Sequence, residues 1–492
     1  MTKRISWLAA VVAILSVGAH ESASAQAQRL PDPIRTQSGY VSGTTIGTPE
    51  QNVRVFRGIP YAAPPLAELR WKAPQPVTPW SGIREATQFT EMATQSSDVV
   101  NEMLGIEDGE DCLYLNVATP ARRSNERLPV MVWFHGGGLF IGTSSDALYN
   151  SYRLPSNGVI TVSVNHRLGV MGLLAHPELT AEAGTSGNYL LLDLIASLKW
   201  VQENIEAFGG DPDNVTIFGQ SGGGMKVSAL IASPLAAGLF NKAIVQSGAP
   251  FPGSGVNRAD LEVNAGKLFA ALGVSTLAEA RALDPEVIVA KDNELQAANA
   301  YANWATAIDQ QVLHGSPLDV IVAGQGNPVD LITGANAGEL GQFSGMLGTY
   351  AQMLTGVQGA GGKTYSYIFD QLPANWRALG GGAVHSMELL YLFGDYDGTI
   401  SPANWGLAQS GIGRSIPEVL QTPAILGDGD KQVSETMMAL WTSFAKTGTP
   451  STGRSVRWTQ WTPETENYLS ITETPQVMEG FSTFQPAAPV AP

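Results

Sequence analysis

The chain has 492 residues with 28 Lys and Arg against 44 Asp and Glu, a formal net charge of −16. No Lys/Arg cluster interrupts that balance, which excludes nucleic acid as an expected partner because a polyanion is repelled without a local basic patch. Hydrophobic residues make up 44% and charged residues 15%, the composition of a compact, core-forming chain and not of a disordered one.

The N-terminus carries Lys3 and Arg4, an apolar run over 7–17, and Ala23-Ser24-Ala25 before Gln26. This is the pattern of a secretory signal peptide, so residues 1–25 are expected to be cleaved on export to the periplasm or the medium. The run of about 11 apolar residues is too short to span a bilayer of about 30 Å, and no membrane anchor is expected after cleavage. Cys112 is the only cysteine, so an intramolecular disulfide and any cysteine-built metal site are excluded. The six histidines form no H-E-x-x-H or H-x-x-x-H pair.

From residue 128 onward, short β-rich runs alternate with helical patterns. The stretches 129–134, 159–164, 215–218 and 242–246 read as buried, parallel-type strands. A helix is predicted over 193–203 from the spacing of Ile195, Leu198, Trp200 and Val201, and a helix-compatible run covers 225–232. The Ala-rich stretch 257–313, with helices near 261–272 and 277–283, reads as a helical insertion forming a cap or side subdomain. Strand-like runs return at 329–333 and 365–369, and a helix over 433–446 offers Met437, Leu440, Trp441 and Phe444 as a core face. A Pro/Ala tail occupies 485–492. With no repeats and no low-complexity linker, one domain is expected over 26–492, of α/β class with a mostly parallel central sheet covered by helices.

Gly219-Gln220-Ser221-Gly222-Gly223 fits G-x-S-x-G directly after a strand and before a helix, the setting of a nucleophile elbow. There a strained turn lifts the serine hydroxyl above the sheet. His135-Gly136-Gly137-Gly138 follows the strand 129–134, at the position of an oxyanion loop. Two of its backbone N–H groups, with that of Gly222, would make a hole of three donors. The order nucleophile, acid, histidine leaves His314 and His385 as candidate bases. His385 is favoured by its Gly-rich loop, Gly380-Gly381-Gly382-Ala383-Val384. The acid must follow a strand between Ser221 and His385. Glu339 does so, and Asp330, which opens that strand, is the runner-up.

The chain resembles the type B carboxylesterase family over nearly its whole length beyond residue 25. The likeness is carried by Phe56-Arg57-Gly58-Ile59-Pro60-Tyr61-Ala62, by Glu110-Asp111-Cys112-Leu113-Tyr114-Leu115-Asn116-Val117, and by Asn165-His166-Arg167-Leu168-Gly169. It continues through Phe208-Gly209-Gly210-Asp211-Pro212 into the elbow, then Gln246-Ser247-Gly248 and Phe444-Ala445-Lys446-Thr447-Gly448-Thr449-Pro450. The resemblance implies the α/β-hydrolase fold and a triad of Ser221, Glu339 and His385. It also implies an oxyanion hole of Gly137, Gly138 and Gly222, ion pairs Arg70 with Glu110 and Arg167 with Asp193, and no metal or organic cofactor. Two departures stand out. Cys112 lacks the upstream cysteine with which the family forms its first disulfide, so a buried thiol is expected. Gln220 stands where the family often has Glu, and with Gly224 and Lys226 it resembles a bacterial Gln-Ser-Gly-Gly-Gly subset that includes fumonisin-type esterases.

The resulting expectation is a serine carboxylesterase acting on a small-molecule ester, neutral or bulky, with a fumonisin-type polyester within range. Three other readings share these residues: a serine amidase, a lipase, and a non-catalytic binding relative. A binding relative is expected to lack the serine or the histidine, and a lipase lid over 88–105 would have to tolerate Glu91, Asp98 and Glu102.

Overall fold

The computed structural model describes residues 30–95, 105–250, 255–341, 345–394, 424–453 and 456–486. The signal-peptide expectation for 1–25, the segment 96–104 of the lid stretch, and 487–492 of the tail lie outside the described residues. Eleven strands form one mixed sheet: β1 (Thr44–Ile46), β2 (Val53–Pro60), β3 (Tyr114–Thr119), β4 (Leu128–Phe134), β5 (Ile160–Val164), β6 (Gly210–Gln220), β7 (Lys242–Gln246), β8 (Asp330–Asn336), β9 (Thr364–Phe369), β10 (Tyr468–Ile471) and β11 (Gln476–Met478). Their spatial order is β11-β10-β9-β8-β7-β6-β4-β5-β3-β2-β1. The strands from β5 to β10 run parallel, while β1, β2 and β3 on one side and β11 on the other pair antiparallel. This is the α/β-hydrolase architecture.

The central strands are continuously apolar because both faces of the sheet are covered. In β4, Val130, Val132 and Phe134 join one core cluster, while Met131 and Trp133 join the other. Helix α1 (Tyr189–Asn204) and helix α2 (Gly222–Ala232) supply the first cluster through Leu190, Leu194, Leu198, Val227 and Leu230. The stretch 257–313 folds as α3 (Arg258–Leu272), α4 (Leu277–Arg281) and α5 (Pro285–Ala297), one helix more than the spacing indicates. Beyond it, α6 (Met387–Phe393) and α7 (Asp428–Thr447) cover the second face. Met437, Leu440, Trp441 and Phe444 are all buried there.

From β4 the chain passes to β5 on one side and then returns to β6 on the other. The crevice beyond the carboxyl ends of β4 and β6 is therefore a topological switch point, where α/β sheets bind ligands. Both the loop starting at His135 and the turn at Ser221 open onto it.

Two buried ion pairs brace the surrounding segments. Arg70 donates to both oxygens of Glu110, at 2.7 and 2.6 Å, and to the carbonyls of Arg281 and Leu283, at 3.2 and 2.7 Å. It thereby ties the insertion to the N-terminal region and places a cation at the end of α4, where a helix favours positive charge. Arg167 holds Asp193 of α1 through Nε at 2.8 Å and Nη2 at 2.6 Å. Cys112 is buried with a free thiol, and burial pushes that thiol well above its ordinary range.

Trp133 stands where the second core meets the segments around the crevice, with ring centroids 5.0 Å from Tyr149, 4.9 Å from Phe218 and 4.9 Å from Phe393. Trp133→Ala should destabilise the fold by about 3–5 kcal/mol through lost burial and a residual cavity. A urea or thermal transition unchanged from wild type would show that these rings do not hold the core.

Candidate active site

Strand β6 ends at Gln220 and α2 starts at Gly222, so the whole change of direction falls on Ser221, with φ +57° and ψ −125°. A non-glycine residue in that region is strained and persists only when its surroundings over-determine it. They do: the Ser221 N–H donates to the Gln246 carbonyl at 2.8 Å, and its own carbonyl accepts from the Met225 N–H at 3.1 Å.

The glycine loop after β4 lies against this turn. A side chain at Gly222 would put a Cβ 1.8 Å from the Gly138 carbonyl oxygen, so only two bare backbones can meet there. Gly137 has φ +87°, and a Cβ on it would lie 2.2 Å from the Ile141 carbonyl oxygen. Among the described residues, the N–H groups of Gly137, Gly138 and Gly222 have no acceptor within the protein. Backbone donors left free beside a strained serine are suited to receive negative charge that develops on an attacked carbonyl.

Glu339 and His385 are brought into direct contact, with a Glu339 carboxylate oxygen against His385 Nδ1. Glu339 ends the short turn Ala337–Glu339 after β8 and is buried. Its other oxygen accepts from Ser247 Oγ at 2.6 Å and from the Asn336 N–H at 2.8 Å. The Gly338 N–H donates to the Ala383 carbonyl at 2.9 Å, stitching the acid's turn to the histidine's loop. With Nδ1 turned to the carboxylate, Nε2 of His385 is left as an acceptor, and the Gln220 side-chain amide meets it at 3.3 Å. That nitrogen faces the elbow. An imidazole held this way can take a proton from a nucleophile and return it to a leaving group.

Asp330 sits at the opposite end of β8, where it accepts from the Lys363 N–H at 2.9 Å. His314 is exposed, and His176 caps a short helix by accepting from the Glu178 N–H at 3.2 Å. Neither is brought to the elbow. Among the described residues, no group of three or more His, Cys, Asp or Glu side chains is placed to hold a metal ion.

Sequence reasoning missed the second carboxyl group behind the pair. Glu388, fully buried at the start of α6, accepts from Gln246 Nε2 at 3.3 Å and from Asn336 Nδ2. Burial, and then the neighbouring Glu339 carboxylate, push it up to about 7. Gln246 in turn accepts from Trp441 Nε1 at 3.1 Å, and Tyr350 Oη accepts from the Gly248 N–H at 2.7 Å. A signal was available: Glu388 is the single charge in Met387-Glu388-Leu389-Leu390-Tyr391-Leu392-Phe393, and a lone acid in an apolar run is costly unless partnered.

Comparison with known proteins converges on one family. The sequence pattern of the carboxylesterase family matches residues 31–356 and 348–487. The para-nitrobenzyl esterase of Bacillus subtilis (strain 168) is 34% identical over 494 residues, covering 89% of this chain and 94% of its own. The fumonisin B1 esterase of Sphingopyxis macrogoltabida is 31% identical over 475 residues, covering 86% of this chain and 83% of its own. A solved PNB esterase structure superposes with a TM-score of 0.77 at 30% identity, over 91% of this chain and 97% of that one.

Charge beside the imidazole should tune the pH–rate profile in both directions. A carboxylate at 220 favours the imidazolium and should move the acid limb of kcat/KM to higher pH by about one unit in Gln220→Glu. Glu388→Gln removes a group that turns negative near neutrality and should move the same limb the other way. Two variants with unshifted limbs would mean that neither side chain is felt at His385.

Proposed function

Because this chain belongs to the carboxylesterase family and is itself a carboxylesterase, we propose that it hydrolyses esters through a covalent acyl-enzyme on Ser221. His385 Nε2 takes the Ser221 proton as the hydroxyl attacks the ester carbonyl, and the oxyanion is received by the N–H groups of Gly137, Gly138 and Gly222. Collapse releases the alcohol, protonated by His385. Water then repeats the sequence and frees the acid. Glu339 holds the imidazole tautomer and stabilises the imidazolium without taking the proton itself. The observation that carries this reading is the contact of Glu339 with His385 Nδ1 while Nε2 is turned to the residue before the strained serine.

The substrate class follows from the same turn. Gln220 places a neutral amide where a carboxylate would draw cationic esters, so neutral esters are the expected substrates. The 31% identity with a fumonisin B1 esterase supports a bulky polyester among them. The leader-like residues 1–25 support export, with the mature enzyme acting in the periplasm or the medium.

Ser221→Ala should abolish turnover of p-nitrophenyl acetate, by roughly 10⁴-fold or more, while leaving the thermal transition in place. A serine-directed organophosphate should label Ser221 alone. Glu339→Gln should cost several orders of magnitude in kcat, roughly 10⁴-fold by analogy with Asp-to-Asn in serine proteases. A crippling Asp330→Asn with a mild Glu339→Gln would move the acid elsewhere. Turnover of p-nitrophenyl esters well above that of anilides or triglyceride emulsions is expected, and the reverse order would make the protein an amidase or a lipase.

A further inference from the structure

Lys226 is an expensive residue with no part in the chemistry described so far. It lies one turn into α2, only 1% exposed. Among the described residues its amine has one hydrogen-bond partner, the His135 carbonyl at 3.0 Å, and no carboxylate. An amine in such a place costs far more than a hydrophobic side chain of the same length. The titratable groups that face it are His135 and His166, both buried, with ring centroids 4.5 Å apart. Charges on the elements packed around α2 are engaged elsewhere or exposed. Asp193 of α1 holds Arg167, Lys242 of β7 is bound to Asn214, and Asp211 and Asp213 of β6 meet Arg127. Lys199 and Glu203 of α1, and Asp319 on the short helix Pro317–Val322, are exposed. No acid repays the burial.

What the amine does hold is the first peptide of the glycine loop. The His135 carbonyl belongs to the His135–Gly136 peptide, and the following residues, Gly136, Gly137 and Gly138, have no side chains with which to anchor themselves. We propose that Lys226 is a positioning residue of the oxyanion loop: by gripping the His135 carbonyl from inside the fold, it sets the peptide planes that aim the Gly137 and Gly138 N–H groups at the Ser221 side. The inference rests on the reading of those glycines as oxyanion donors. It explains why an unpaired amine is kept in the core, since sites that hold donors for a transition state are regularly destabilising to the fold around them.

Lys226→Met removes the amine and keeps the length. The expected result is a loss of about tenfold in kcat for p-nitrophenyl acetate with KM within about twofold of wild type, as for an interaction felt chiefly in the transition state. A trifluoromethyl ketone, which adds to the serine and places an oxyanion in the hole, should bind more weakly by a similar factor. The corresponding methyl ketone should bind as before. The melting temperature should stay level or rise. Burial lowers Lys226 to about 7, whereas an unfolded lysine keeps its proton to about 10.4. Stability therefore rises with pH across that window in the wild type, and the Met variant should lack that rise. Unchanged kcat, or parallel weakening of both ketones with a lower melting temperature, would overturn the proposal. Should Lys226→Met fail to fold, Lys226→Leu, which likewise has no donor for the His135 carbonyl, carries the same comparison. Organophosphate labelling of wild-type Ser221 tests the acyl-enzyme reading separately, so a labelled serine with an indifferent Lys226→Met sinks this inference alone.

Discussion

Where β4 and β6 end, two stretches of backbone approach so closely that a methyl group at Gly222 would overlap the Gly138 carbonyl. The donor side of the site follows from that contact. It brings the free N–H groups of the glycine loop beside the residue after Ser221, and it requires the chain to turn within one residue, which places the strain on the serine. The parallel sheet makes the approach possible, since β4 and β6 are neighbours in register from Val130 with Val215 to Phe134 with Gly219. A slip of one residue would separate the two halves and turn every side chain of the strand to the other face.

Around this contact a chain of buried polar side chains is joined by hydrogen bonds from one to the next. Glu339 touches His385, Ser247 and the Asn336 backbone. Asn336 also reaches Glu388, Glu388 reaches Gln246, and Gln246 reaches Trp441 on the far layer of helices. A connected network of this kind costs less than its members would singly and holds them in one arrangement. The residues that orient the imidazole are thus anchored in the second hydrophobic core, where Trp441 and Tyr367 pack with ring centroids 5.3 Å apart.

The parallel half of the sheet was legible because its strands are uninterrupted apolar runs bounded by turn residues, and Lys242–Gln246 coincides with the stretch read from sequence. The antiparallel β2 was not. It carries Arg54 and Arg57, and its register shifts between Phe56 and Ile59, so no single period describes it. The strand expected over 215–218 is the core of β6, which begins earlier, at Gly210, and whose register with β4 shifts between Gly210 and Val215. Helix α5 is hard to read from sequence although Asp284 and Pro285 form a cap and first turn, because its charged and apolar residues alternate without a clean stripe. Of the site, motifs pointed to Ser221 and the glycine loop, since backbone geometry demands particular residues there. Glu388 and the direction of the Gln220 side chain depend on packing between distant segments, which local pattern does not encode.

The solitary thiol of Cys112 has a consequence for where the protein can be made and used. With no second cysteine in the chain, folding passes through no oxidation step, and the folded state has no covalent crosslink for a reductant to cut. Burial keeps the sulfur protonated and away from oxidants, so dimers bridged through it are disfavoured as well. The fold is therefore indifferent to the thiol poise of its surroundings, and a reducing compartment and an oxidising culture medium should yield the same fold.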